Sequence, residues 1–225
     1  MIEIRQFEQM RYMIRFPEMY EAGKKYPVII FLHGAGTREI ETEALKESGY
    51  LKFSGQYAQE PFIAVVPHCQ GVDNTWFDML ETVKKFVRML IEEEYTDKKR
   101  IYLTGNSMGG YGTWQLAMSM PEVFAAIVPV CGGGMYWNAG RLVNVPVWAF
   151  HGGKDPIVFP EESKKMVDGV NKAGGNAKLT IYPENFHDSW TDTYSNPKVY
   201  EWMFSHENMN HIEVTTEYND SVIYG

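Results

Sequence analysis

The sharpest structural signal in the chain lies at residues 101–110, Ile-Tyr-Leu-Thr-Gly-Asn-Ser-Met-Gly-Gly. The segment opens with an apolar run typical of a buried strand, and the residues after Ser107 continue in a helical pattern as far as Pro121. Glycines at positions 105 and 109 permit the close approach that a sharp strand-to-helix turn requires. Such a turn projects its central side chain from the edge of a sheet at a helix N-terminus, so Ser107 is a candidate nucleophile.

Strand-like and helix-like segments alternate on either side of this turn. Further apolar runs are unbroken, as expected for strands of a parallel sheet covered on both faces; they lie at 28–32, 63–66, 125–128, 147–150 and 179–182. Helical periodicity predicts helices from Met79 to Ile91, after Ser107, from Glu161 to about Ala173, and from Pro197 to Phe204. The opening segments 2–8 and 10–16 predict an antiparallel hairpin. We therefore expect an α/β fold with a mostly parallel central sheet, an N-terminal antiparallel hairpin and helices on both faces.

The chain length of 225 residues favours one domain, which we place at residues 1–206. Residues 207–225 are mostly polar and are expected to form a tail, an edge strand or a contact between copies of the chain in a homo-oligomer. The net charge of −8, from 21 basic and 29 acidic residues, argues against a nucleic-acid partner. A globular composition, with 44% apolar and 22% charged residues, argues against disorder.

The N-terminal residues lack the basic start and apolar stretch of an export signal, and no apolar run approaches the ~20 residues of a membrane span. We expect a cytoplasmic protein without a membrane partner; the alternative is a chain from which an export leader has been removed. Cys69 and Cys131 lack metal-site spacing and are too few for a disulfide framework. They are interpreted as free thiols.

A serine hydroxyl needs a base and an orienting carboxylate. His187 follows the last predicted strand and Asp155 follows the preceding one, giving the chain order Ser, Asp, His. Asp188 is adjacent to His187, and chain neighbours on a loop rarely point at each other, so we interpret Asp188 as a loop cap or a solvated charge. Other carboxylates and histidines are interpreted as surface groups: Glu161, Asp192, His206 and His211.

Stabilising a tetrahedral intermediate requires two backbone N–H groups. Met108, directly after the candidate nucleophile, is expected to supply one. The glycine-rich loop His33-Gly-Ala-Gly36 is expected to supply the other from Ala35. No Gly-Lys-Ser/Thr follows this loop, so it does not match a phosphate-binding motif.

With these motifs in place, the chain resembles the α/β-hydrolase superfamily over about residues 10–205. More narrowly, it is similar to small esterases labelled predicted peptidases or phospholipase/carboxylesterase-like proteins, relatives of feruloyl and acetyl-xylan esterases. The segments that carry the resemblance are Phe31–Gly36, Val66–Gln70 with Trp76, Gly105–Trp114, Ala149–Asp155 and His187–Trp190. A departure is His68, where relatives often carry glutamine.

This resemblance implies a cofactor-free serine esterase acting on small-molecule or carbohydrate-linked esters, with short-chain, aryl, acetyl or feruloyl groups. A peptidase using the same three residues and a non-catalytic binding module of this fold stay open. Trp76, Trp137 and Trp190 are candidate substrate contacts, with core packing as the alternative for each.

A metal site is the competing interpretation of the histidines at strand ends. In the usual hydrolase strand order, His33 and His151 lie three strands apart, roughly 14 Å at ~4.8 Å per strand, too far for a shared ion. We therefore expect no metal and interpret both imidazoles, each followed by glycine, as bonded to nearby backbone. His68 also follows a strand and is interpreted without a metal role.

Overall fold

In a computed structural model, which describes residues 1–47 and 49–208, one eight-stranded sheet runs through the chain. The strands are β1 (Ile2–Phe7), β2 (Met10–Arg15), β3 (Tyr26–Leu32), β4 (Ile63–Pro67), β5 (Thr96–Asn106), β6 (Ala126–Val130), β7 (Val147–Gly152) and β8 (Ala177–Tyr182). Their order is β1-β2-β4-β3-β5-β6-β7-β8. Only the pairs β1–β2 and β2–β4 are antiparallel, so the predicted N-terminal hairpin is confirmed.

Six α-helices pack on this sheet within the described residues. They are α1 (Gly49–Tyr57), α2 (Leu80–Glu92), α3 (Met108–Ser119), α4 (Glu161–Lys172), α5 (Trp190–Tyr194) and α6 (Pro197–Phe204). Short 3-10 segments lie at Ala35–Thr37, Thr42–Glu47 and Tyr136–Leu142. The four predicted helices are confirmed as α2, α3, α4 and α6, within a residue or two at their ends.

The core lies on both faces of the sheet. Alternate residues of β3 enter different clusters: Ile30 packs with α2, α3 and α4, whereas Ile29 packs with α1, α5 and α6. Burial of both faces explains why the strand sequences are unbroken apolar runs rather than alternating ones. The predicted fold class, with helices on both faces, is confirmed.

Sequence patterns missed elements with weak signals. β5 begins at Thr96, five residues before its apolar run, and these first residues include charged side chains such as Lys98, which pairs with Glu92. Helix α1 contains two glycines and lacks a clear apolar stripe. Helix α5 has five residues, too few for a period to show. Of the predicted tail at 207–225, only Glu207 and Asn208 are described; His211 and residues 209–225 lie outside the described residues.

The ends of the helices follow local chemistry. Gly174, at φ +91°, ends α4: its N–H donates to Asn171 O at 3.0 Å, and the N–H of Gly175 donates to Val170 O at 3.0 Å. This is the double hydrogen bond of a glycine-terminated helix. The predicted glycine cap at 174–175 is confirmed.

The strand-to-helix turn at Ser107 depends on contacts too close for any side chain. A Cβ at Gly105 would lie 2.4 Å from Gly109 O, and one at Gly109 would lie 1.8 Å from Leu32 O. Gly110 in α3 is equally close to the end of β6, because a Cβ at Gly110 would lie 2.4 Å from Val130 O and one at Gly132 would lie 2.5 Å from the carbonyl carbon of Gly110. Glycine at these positions therefore lets α3 start directly against the ends of β3 and β6.

We expect Gly109→Ala to lower the free energy of unfolding by at least about 2 kcal/mol, because the added methyl group meets backbone that cannot yield cheaply. Urea unfolding measures the change. Gly36→Ala is the matched control, since its Cβ meets nothing within 4 Å. A Gly109→Ala variant as stable as Gly36→Ala would contradict the contact.

Candidate active site

Ser107 lies between β5 and α3 in a conformation that few side chains adopt. Its φ of 56° and ψ of −119° are uncommon for a residue other than glycine and carry backbone strain. The turn is held by Ser107 N–H donating to Val130 O at 3.0 Å and by Tyr111 N–H donating to Ser107 O at 3.0 Å. The strained turn therefore places Ser107 directly after the carboxyl end of β5 and at the start of α3.

The structure brings Ser107, His187 and Asp155 together. His187 Nε2 lies 2.9 Å from Ser107 Oγ, and His187 Nδ1 lies 2.7 Å from Asp155 Oδ2. A carboxylate can only accept, so Nδ1 carries the imidazole proton and Nε2 is free to accept the serine proton. The arrangement has the hydrogen bonds of a nucleophile, a general base and an orienting carboxylate.

Asp155 is buried and surrounded by donors. Its Oδ1 accepts the N–H groups of Ile157 at 2.9 Å and Val158 at 3.0 Å. Burial by itself would raise the pKa of the Asp155 carboxyl, but the hydrogen bonds from His187 and the two backbone N–H groups outweigh it and lower the pKa. The carboxylate therefore stays ionised beneath the imidazole.

A second histidine, His151, lies beside the same carboxylate, and the sequence reasoning assigned it no part in the site. It is fully buried, with Nε2 2.8 Å from Val158 O and 3.3 Å from Asp155 Oδ2, and Nδ1 2.7 Å from Ser163 Oγ. Burial lowers the pKa of His151 in spite of the nearby carboxylate. The signal that could have found it is the four-residue spacing between His151, near the end of β7, and Asp155 in the loop that follows this strand.

The loop after β3 lies directly against the turn at Ser107. A Cβ at Gly34 would lie 3.6 Å from Ser107 Cβ. Ala35 is the first residue of a 3-10 segment and Met108 the first of α3, so both N–H groups lack an acceptor within their own helix. Within residues 1–47 and 49–208, no hydrogen bond takes up either N–H.

His33 fixes the shape of this loop. It accepts the N–H of Cys69 at Nε2, 3.0 Å away, so its proton sits on Nδ1, which lies 2.8 Å from Gly34 O. Trp76 Nε1 donates to His33 O at 2.9 Å. Burial lowers the pKa of His33 from 6.5 to about 4. The interpretation of His33 and His151 as bonded to nearby backbone is confirmed.

The three candidate tryptophans have different environments. Trp76 is 2% exposed and packs its ring against His33 in the core, so its assignment as a substrate contact is corrected: an enclosed indole has no face for a substrate. Trp190 is half-buried, with its ring centre 5.4 Å from that of His187. Trp137 is 74% exposed in the 3-10 segment after β6. Substrate contact stays a prediction for Trp137 and Trp190.

Other candidate residues serve local structure. Asp188 accepts the N–H and hydroxyl of Thr191 at the start of α5, as predicted for a cap. Asp192 accepts from Asn185, and Glu161 pairs with Lys164 on α4. His206 Nδ1 bonds to Trp202 O. None of these contacts involves Ser107 or His187.

One group of side chains has the composition of a metal site. Ligand atoms of Cys131, Asp155 and His187 lie within 4.8 Å of one another. The carboxylate and imidazole are already hydrogen bonded to each other, and burial raises the pKa of the Cys131 thiol to about 12, which keeps it protonated. The donor set therefore suits the hydrogen-bonded triad better than a thiolate-bound ion. Cys69 and Cys131 are both free and buried.

The sheet order, the strained serine turn and the Ser–His–Asp hydrogen bonds define an α/β hydrolase. The chain belongs to the Dienelactone hydrolase family, whose model matches residues 12–206. No helix among the described residues is long and apolar enough to cross a membrane.

Known proteins similar to this chain include esterases and a depolymerase. The bifunctional acetylxylan esterase/xylanase XynS20E of Neocallimastix patriciarum is 25% identical over 76% of this chain and 24% of its own length. Poly(3-hydroxyalkanoate) depolymerase C of Paucimonas lemoignei is 25% identical over 87% of this chain and 48% of its own. A crystal structure of a thermostable esterase has 32% identity, a TM-score of 0.81, and coverage of 92% of this chain and 63% of that one. The chain thus spans about a quarter to two thirds of these proteins.

The pKa of His33 makes stability depend on pH. Between pH 6.5 and about 4 the unfolded chain binds a proton at this residue that the folded chain does not. This contribution to stability is therefore intact above pH 6.5 and falls as the pH drops toward 4, by up to about 1.4 kcal/mol per pH unit. We expect His33→Asn to lose less free energy of unfolding between pH 6.5 and 4.5 than the unmodified chain. Urea unfolding at both pH values measures the difference, and equal losses would contradict it.

Proposed function

We propose that this chain is a serine carboxylesterase that hydrolyses short-chain, aryl or carbohydrate-linked esters without a cofactor. The observation that carries the proposal is the continuous hydrogen-bonded path from Ser107 Oγ through His187 to Asp155, with distances of 2.9 and 2.7 Å. The serine hydroxyl can pass its proton to His187 as it attacks an ester carbonyl, and water is the only other reactant that hydrolysis of the ester needs.

In the first half of the reaction, Ser107 Oγ attacks the carbonyl carbon while His187 Nε2 takes the serine proton. The Asp155 carboxylate stabilises the imidazolium that forms. The carbonyl oxygen becomes an oxyanion facing the N–H groups of Met108 and Ala35, and removing one such donor typically costs ~2.7–4 kcal/mol of transition-state stabilisation. His187 then gives the proton to the leaving alcohol oxygen, and the acyl group stays on Ser107.

In the second half, water takes the place of the alcohol. His187 accepts a proton from the water as its oxygen attacks the acyl carbon, and the same N–H groups stabilise the second oxyanion. Return of the proton to Ser107 Oγ releases the acid. Each proton taken is returned, so the enzyme ends the cycle unchanged.

Similarity to an acetylxylan esterase and a depolymerase supports an ester substrate. The similarity to the thermostable esterase, at 32% identity, supports the same reaction. An amide substrate and a non-catalytic role are the alternative outcomes of the experiments below.

We expect Ser107→Ala to fold normally and to lose at least about 10³-fold in kcat on p-nitrophenyl acetate, because the nucleophile is removed. The variant should also fail to react with a fluorophosphonate probe. Ser205→Ala is the control, since the Ser205 hydroxyl bonds to Trp202 O on the surface. Undiminished turnover by purified Ser107→Ala would refute the nucleophile, and no labelling of the unmodified chain would favour a binding module.

Asp155→Asn should lower kcat by about 10⁴-fold, because an amide can donate its N–H to His187 and hold the imidazole in the wrong tautomer. Asp188→Asn is the matched control, because the Asp188 carboxylate accepts the N–H of Thr191 at the start of α5 and does not contact His187. This variant should keep kcat within about twofold of the unmodified chain, as expected for a surface substitution. Steady-state kinetics on p-nitrophenyl acetate measures both. Equal effects of the two substitutions would overturn the assignment of the carboxylate.

A further inference from the structure

Three large apolar side chains are exposed on the two loops that carry Asp155 and His187. Phe186, directly before His187, is 63% exposed. Ile157 and Phe159, in the loop after Asp155, are 69% and 64% exposed. We call Ile157, Phe159 and Phe186 the apolar lip. Exposed apolar side chains that are grouped rather than scattered mark binding surfaces in folded proteins.

The two loops that carry the apolar lip are tied together by their backbones. Lys154 N–H donates to Asn185 O at 2.9 Å. A Cβ at Gly152 would lie 2.0 Å from Phe186 O, so the chain at Phe186 rests directly on the end of β7. These contacts place the loop of Phe186 against the loop that begins at Gly152.

The apolar lip is also tied to the catalytic carboxylate. Ile157 N–H donates to Asp155 Oδ1 at 2.9 Å, and Asp155 in turn holds His187. The polar groups around it are paired or exposed: Lys154 forms an ion pair with Glu184, and Asp188 caps α5. The apolar lip is therefore an apolar surface with a charged border, fixed on the histidine and aspartate side of the site.

The proposed reaction decides which half of a substrate meets this surface. His187 Nε2 must reach the leaving alcohol oxygen to protonate it, so the alcohol half leaves past His187. The carbonyl oxygen points the other way, toward Met108 and Ala35 at the turn and the β3 loop. The backbone contacts between the two loops put the apolar lip on the same side of the site as His187, so it borders the alcohol half.

We propose that the apolar lip binds the alcohol half of the ester and selects alcohols with an aryl or alkyl body over polar ones. This assignment rests on the proposed function and narrows it to esters of apolar alcohols, so carbohydrate-linked esters, whose alcohol half is a polar sugar, become the disfavoured substrates. An apolar alcohol removes the exposed surface of these side chains from water, whereas a polar alcohol leaves its own hydrated groups against them.

Two pairs of esters test the assignment. Benzyl acetate and 2-methoxyethyl acetate share an acyl group and differ in the polarity of the alcohol. Methyl phenylacetate and methyl methoxyacetate share the alcohol and differ on the acyl side. The variant is Ile157→Ser/Phe159→Ser/Phe186→Ser, whose changed side chains are exposed and thus outside the core. If the triple variant does not fold, Phe186→Ser alone carries the same test.

The unmodified chain is expected to favour benzyl acetate in kcat/KM, and the variant to lower that preference about tenfold, mainly through KM. Its preference within the acyl pair should stay the same. Met19→Ser is the control: Met19 is 86% exposed but lies between β2 and β3, at the opposite edge of the parallel strands, and should change neither ratio.

The assignment would be overturned if the variant kept the preference for benzyl acetate over 2-methoxyethyl acetate. It would also be overturned if the preference within the acyl pair changed by the same factor. In either case the proposed ester hydrolysis would still hold. Failure of the proposed function has a different signature. In that case the unmodified chain hydrolyses none of the four esters and does not react with a fluorophosphonate, and the role of the apolar lip falls with it.

Discussion

The approach of Gly109 to the carbonyl of Leu32 is the constraint on which the rest of the site depends. The α3 helix can begin against the end of β3 only because position 109 has no Cβ, which would lie 1.8 Å from Leu32 O. This proximity forces the chain to reverse within one residue, and Ser107 absorbs the reversal at a φ of 56°. The strained serine backbone and the position of the Met108 N–H at the start of α3 thus accompany one backbone contact.

Parallel pairing extends this constraint to Asp155 and His187. Leu32 pairs with Gly105, Asn106 with Val130, and Gly152 with Tyr182. Val130 pairs with Phe150, two residues before the end of β7, so the carboxyl ends of these strands lie at the same edge of the sheet. The loops after β7 and β8 consequently leave the sheet at the same edge as Ser107, and Asp155 and His187 meet above it. The donors around Asp155 then keep its carboxylate charged while buried, which an isolated buried carboxylate would not be.

Several features of the site were open to sequence reasoning because they rest on local chemistry. The turn at Ser107 has a strand before it, glycines around it and a helix after it. Asp155 could be preferred over Asp188 as the partner of His187, because chain neighbours on a loop rarely point at each other. In the structure, Asp188 accepts a hydrogen bond from Thr191. The burial of Trp76 was not open to such reasoning. The local sequence around a loop aromatic residue does not show whether its ring faces solvent or the core. In the structure, Trp76 donates its N–H to His33 O in the core.

Apolar periodicity, glycine punctuation and side-chain chemistry act over a few residues, so most strands and helices, their order and the candidate residues Ser107, Asp155 and His187 could be predicted from the sequence. The helices α1 and α5 and the start of β5 could not, because their local signals are weak. Packing between distant segments sets the rest: His151 lies beside Asp155, Trp76 belongs to the core, and the apolar lip stays exposed on the loops of Asp155 and His187. Such contacts join segments that are far apart in the chain, as do Ser107 and His187, which are 80 residues apart. Local sequence does not specify which distant segments meet, because the packed sheet brings them together.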